Sequence, residues 1–183
     1  WDAASKGVSV IIGNNGKDAS LTTIQLARAT ITKSTGKSYF ELKVIAQNIP
    51  QGFYGGFTST IAGFDGNSYG AKRFWYYYPA GGTIDLGGDS TISPDNLAPP
   101  AGDIATNDVV GYAINHDTGS LQIFVNNVLR TTKTISQIVG IPITPAVGAP
   151  SSGGSIVTLR VHTLSTTLTY SPPAGYVAWD ENV

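Results

Sequence analysis

Apolar and polar residues alternate with a period of two along most of this chain, the spacing at which successive side chains of an extended strand point to opposite faces. Over residues 39–46, Phe40, Leu42, Val44 and Ala46 fall on one side while Glu41 and Lys43 fall on the other, which predicts a half-buried strand with Glu41 facing out. Leu121, Ile123 and Val125 alternate with Gln122, Phe124 and Asn126. Val157, Leu159 and Val161 alternate in the same way with Thr158, Arg160 and His162. Between such runs stand turn formers. Asp117-Thr118-Gly119 separates 109–115 from 121–125, and Asn126-Asn127 can bridge to 128–132, because Asn tolerates the positive φ of a tight hairpin. The best helical candidate, residues 136–139, is only about a turn long. Strand-sized runs between turns predict an all-β sandwich or barrel. No repeat or composition break divides residues 1–183, so a single domain is expected, with its most irregular stretch over 63–107. The chain starts at Trp1 without any methionine, which suggests an excised domain or processed fragment. The tail from Ala178 to Val183 is expected to run on towards a neighbouring module.

Composition narrows the function classes. The 183 residues are 41% hydrophobic, enough for a core without staples, and no run approaches the roughly twenty apolar residues that cross a bilayer. Membrane insertion is therefore not expected. Eleven Lys+Arg against 12 Asp+Glu give a net charge of -1, without the clustered cations a nucleic-acid backbone demands. The absence of cysteine excludes disulfides, a thiol nucleophile and Cys-ligated metals. Charged residues reach only 13%, and the polar surface is built from Ser, Thr, Asn and Gly, which suits an extracellular, virion or cell-surface setting.

Catalytic constellations are sparse. The two histidines are His116, in a turn where an imidazole would be solvated, and His162, on the polar side of a strand. His-Glu-x-x-His is absent, and no strand-to-helix nucleophile elbow is indicated. The glutamates are Glu41, read as outward-facing, and Glu181 in the tail, so a paired-carboxylate glycosidase is not indicated. Asp85, Asp89 and Asp95 are close enough to suggest calcium but lack the spacing of a dedicated loop. No cofactor and no enzymatic activity are expected. One run stands out: Phe74, Tyr76 and Tyr78 would share one face of a strand and Trp75 and Tyr77 the other. With both faces aromatic, one is covered by a further layer or offered to a partner such as a peptide or sugar ring.

The stretch from Asn107-Asp108-Val109-Val110-Gly111 through Asp117-Thr118-Gly119-Ser120-Leu121-Gln122-Ile123-Phe124 to Asn126-Asn127 resembles the signature of SPRY (B30.2-like) domains. Further marks follow in order: Trp1-Asp2, Thr35-Gly36-Lys37-Ser38-Tyr39-Phe40-Glu41-Leu42, Gly55-Gly56-Phe57-Thr58, Pro145-Ala146-Val147 and Tyr170-Ser171-Pro172-Pro173-Ala174-Gly175-Tyr176. The ending is similar to SPRY-like modules of tailed-phage and bacterial multidomain proteins. Asn127 stands where the family usually has Gly, which Asn's tolerance of the left-handed region permits, and Asn107 replaces the Gly before the Asp. The resemblance implies a bent antiparallel β-sandwich of the concanavalin-like, jelly-roll type that binds without catalysis. It further implies that loops at one end of the sandwich hold a protein, peptide or glycan ligand. Those loops would carry Thr58 and Ser59, then Phe64, Asp65 and Tyr69, then Trp75 and Tyr77 of the aromatic strand, and finally Pro150 and Ser151. The expected role is recognition or attachment within a larger phage-tail, virion or cell-surface protein. The alternative is a structural, oligomerising or decoration module that binds no small ligand.

Overall fold

Alternating residues with branched or flat side chains pair along their backbones and bury one face each, and two sheets result. The structure is a computed structural model describing residues 1–22, 25–48, 53–59, 74–78, 83–87, 95–96, 104–149 and 156–181. The larger sheet runs in the order β1 (Ile11–Gly13), β2 (Asp18–Leu21), β13 (Val157–His162), β4 (Lys37–Gln47), β9 (Val109–Asn115), β10 (Ser120–Val125) and β11 (Val128–Thr134). A short β14 (Val177–Ala178) lies parallel to the start of β4, and every other pairing is antiparallel. The smaller sheet runs β3 (Leu26–Arg28), β12 (Ile143–Gly148), β5 (Tyr54–Ser59), β6 (Phe74–Tyr78), β7 (Thr83–Gly87) and β8 (Asp95–Asn96). The described residues contain no α-helix; residues 136–138 form a 3-10 turn where the sequence placed its one helical candidate. The fold is an antiparallel β-sandwich.

The core lies between the sheets. Phe40 stacks on Tyr112 with ring centroids 4.8 Å apart, and Trp179 meets Phe40 edge-on at 5.2 Å. Tyr112 Oη donates to the Gly55 carbonyl at 2.7 Å, tying the larger sheet to the smaller. Gly55 is required there, since a Cβ would sit 2.5 Å from the Phe53 ring. Each buried ring contributes roughly 1.5–3 kcal/mol of burial.

The hairpin signals hold. Asn126 and Asn127 have φ of 49° and 65°, and Asn107 has φ of 79°. Leu121, Ile123 and Val125 are buried while their neighbours are half-exposed. Two expectations need correction. Ala46 is exposed rather than continuing the inner row of Phe40, Leu42 and Val44, because Leu159 pairs with Val44 but Thr158 with Ala46. Ile45 is therefore an extra residue, and the bulge turns Ala46 to the other face. Nor does the tail leave the domain at Ala178: Ala178 and Trp179 are fully buried, with Trp179 Nε1 donating to the Ile31 carbonyl at 3.0 Å.

The strand register also defines two ends. Ser59 pairs with Ile143 at one, and Tyr54 with Gly148 at the other. The six residues of β5 separate them by roughly 17 Å at the usual rise of a strand.

Candidate functional site

Of the nine residues singled out from the sequence, four lie within the described residues. Thr58 and Ser59 lie on β5 itself rather than beyond it, and both are buried. Phe64, Asp65 and Tyr69 lie outside the described residues, in the segment joining Ser59 to β6. Trp75 and Tyr77 are on β6, in register with Phe57 and Gly55, the β5 residues that look onto the core. Pro150 and Ser151 also lie outside the described residues, in the segment that follows β12 at Gly148 and Ala149. The segment after Ser59 is thus rooted at one end of the β5–β12 pair and the segment after Gly148 at the opposite end. Antiparallel neighbours finish at opposite ends, so the two strand ends from which these segments leave lie about a strand length apart. Of the three calcium candidates, Asp85 and Asp95 lie on β7 and β8, and Asp89 lies outside the described residues.

Two polar residues that the sequence placed in solvent are buried. Glu41 does stand on the outer side of β4, opposite the Phe40–Leu42–Val44 row, but it is 0% exposed. Its carboxylate accepts from the Thr169 amide at 2.6 Å, the Tyr170 amide at 2.9 Å and Tyr39 Oη at 3.1 Å. Residues 163–176, which follow β13, form an irregular strap, and Glu41 clasps it to the sheet through those two amides. Burial pushes the carboxyl pKa up, but interactions with His162 and the two amides outweigh it and hold Glu41 below its usual value. The phenol of Tyr39 is pushed up by burial and by the charge of Glu41. His162 Nδ1 lies 3.6 Å from Glu41, longer than a hydrogen bond. A catalytic imidazole needs a carboxylate free to orient it; Glu41 is occupied by backbone.

His116 is the second. The turn that carries it is covered by neighbouring chain, since His116 N donates to the Gly36 carbonyl and Gly140 N donates to the His116 carbonyl. The ring is fully buried beside Trp179, and its Nε2 is 2.8 Å from Ser38 Oγ. Burial lowers its pKa to about 4, so the ring is neutral at pH 7. A serine next to an imidazole is half of a nucleophilic couple, but Nδ1 has no hydrogen-bond partner and Asp117 Oδ1 accepts instead from Gly36 N. Without a group to orient the ring, and with Ser38 itself buried, the couple is a core contact. No sequence signal marks the burial of either residue, because the covering segments are non-local and irregular.

An open cleft of about 550 Å³ lies along β13, within the size range of small-ligand sites. Trp1, the β1–β2 turn with Asn15 and Lys17, and Arg160, His162 and Asp180 contribute to its walls. Arg160 is held by Asp18 in a two-pronged contact of 2.6 and 2.9 Å. That hydrogen-bonded pairing lowers the Asp18 pKa and raises that of Arg160. Asn14, Asn15 and Gly16 all have positive φ (50°, 52° and 82°), which turns the chain tightly at the cleft's rim.

No protein-family model and no curated protein sequence matches the chain. Solved structures do match. The SPRY domain of human HERC1 superposes with a TM-score of 0.68 at 13% identity, covering 87% of this chain and 95% of that one. A second human SPRY domain gives a TM-score of 0.56 at 16% identity, over 84% of this chain and 94% of its own. At such identities the likeness is one of fold, and the β-sandwich described above is the fold of those SPRY domains.

Proposed function

We propose that the chain is a non-catalytic recognition module that grips a protein or peptide partner with the rim of the sandwich where β5 ends and β6 begins. The observation that supports this most directly is the use made of its buried ionisable groups. Glu41 is spent on holding a strap and His116 on packing beside Trp179, on a fold shared with SPRY domains. Phe64, Asp65 and Tyr69 belong to the segment rooted at that rim, between Ser59 and Phe74, and large rings on a connection between paired strands are the natural anchors of such a contact. Pro150 and Ser151, rooted at the opposite end, would serve a separate contact. In this reading the module works within a larger phage-tail, virion or cell-surface assembly.

The test is a displayed-peptide selection on the isolated chain, followed by titration of selected peptides against Phe64→Ala and Tyr69→Ala. Loss of about tenfold or more in affinity is expected for each anchor. Unchanged affinity in both variants would remove the rim from consideration. The competing structural-module reading predicts stable oligomers by light scattering and no selected peptides.

A further inference from the structure

The cleft along β13 has a chemistry of its own, independent of the rim. Its side-chain charges are balanced, with Arg160 neutralised by Asp18 and Lys17 standing with Asp180 among the lining residues, and the Trp1 ammonium donates to the Gly16 carbonyl. Ile31 and Leu164 line it too and are 43% and 46% exposed, so apolar patches alternate with planar polar groups. Trp1, half-buried against the core, adds an indole.

Three ligand classes can be weighed against that surface. An anion would need a free cationic fork, but Arg160 is committed and Asp180 lines the same walls. An extended peptide added as a strand would need an open backbone edge, but β13 is paired with β4 along its length and with β2 over Val157–Arg160. Beyond that, Val161 N donates to the Lys17 carbonyl and the Thr163 carbonyl accepts from Asp180 N. A neutral polyhydroxylated ring fits better. Each hydroxyl both donates and accepts, and the C–H faces of the ring suit an indole or an aliphatic wall. The walls are also fixed in advance. Thr163 Oγ1 donates to Asp180 Oδ2 at 2.6 Å, Asp180 N returns to the Thr163 carbonyl at 3.0 Å, and the Glu41 clasp secures the strap that carries Leu164. Rigid walls spare a ligand the entropy of ordering them.

We propose that this cleft binds a neutral saccharide, with the Trp1 ring against a sugar face and Asn15 and Asp180 engaging its hydroxyls. The experiment titrates the isotope-labelled chain with neutral gluco-, galacto-, manno- and N-acetylglucosamine oligosaccharides, following the Trp1 indole N–H and the Asn15 amide by NMR. At least one series is expected to shift both signals. Asn15→Gly, which keeps the left-handed backbone, and Asp180→Asn should each weaken that binding about tenfold at unchanged melting temperature. If Asp180→Asn perturbs folding, the wild-type shift map and Asn15→Gly decide the matter. No binding in any series, shifts that map elsewhere, or full affinity in Asn15→Gly would overturn the proposal, as would saturation by inorganic phosphate at the same residues. Phe64→Ala and Tyr69→Ala should leave the saccharide titration untouched, so failure here is separable from failure of partner binding at the rim.

Discussion

Glu41 and His116 are sealed from solvent on opposite terms. The carboxylate is buried charged, and donors converge on it: two backbone amides and a phenol. The imidazole is buried neutral, with Ser38 at one nitrogen and nothing at the other. The first arrangement fixes a piece of irregular chain that has no strand pairing of its own. The second fills space beside Trp179 and tolerates an unmet polar atom because the ring stays uncharged. A buried ionisable group survives by being either fully answered or discharged, and this sandwich uses both solutions.

The comparison breaks most visibly at Glu41. Glu41→Ala leaves three donors without an acceptor inside the protein, and should cost about 3–5 kcal/mol by urea unfolding at pH 7. Glu41→Gln, which keeps one acceptor, should cost less; equal stability of Glu41→Ala and wild type would show that the clasp is not formed. The next effect is a pH dependence. The folded pKa of His116 is depressed to about 4 from 6.5, so its contribution is fully present above pH 6.5 and is lost as pH falls towards 4. That window is worth of the order of 3 kcal/mol. His116→Gln, which cannot titrate, should flatten the stability profile between those pH values, and an unchanged slope would contradict the burial. Glu41 is depressed too, so its contribution is present above the ordinary carboxylate range and disappears at lower pH than that of His116. The smallest effect is expected at His162: at 3.6 Å from Glu41 and partly exposed, its replacement by Gln should change stability by less than about 1 kcal/mol.

The sheet alternation and the Asn126-Asn127 hairpin were legible in the sequence because each is a local rule: period two, or a turn needing positive φ. The parity of Glu41 was legible as well, since it does lie on the outer side of β4. Its burial was not, because the covering strap has no periodicity and arrives from about 128 positions further along. His116 was misplaced for the same reason: a turn tip reads as solvated until the segments of Gly36 and Gly140 close over it. The proposed loop residues followed from family order along the chain, and order alone does not say which end of an antiparallel strand a loop leaves from. The cleft went unread because Trp1, the β1–β2 turn and β13 come together only through the register of the larger sheet.

Trp179 carries a consequence for how the molecule is made. Its indole bonds to Ile31 across 148 positions of chain. A nascent polypeptide can form the early hairpins during synthesis, but the space beside Phe40 and His116 stays unfilled until the last residues of the sandwich clear the ribosome. Long-range closure of this kind is slow. A product shortened by even a handful of residues before Trp179 would expose that hole to chaperones and proteases.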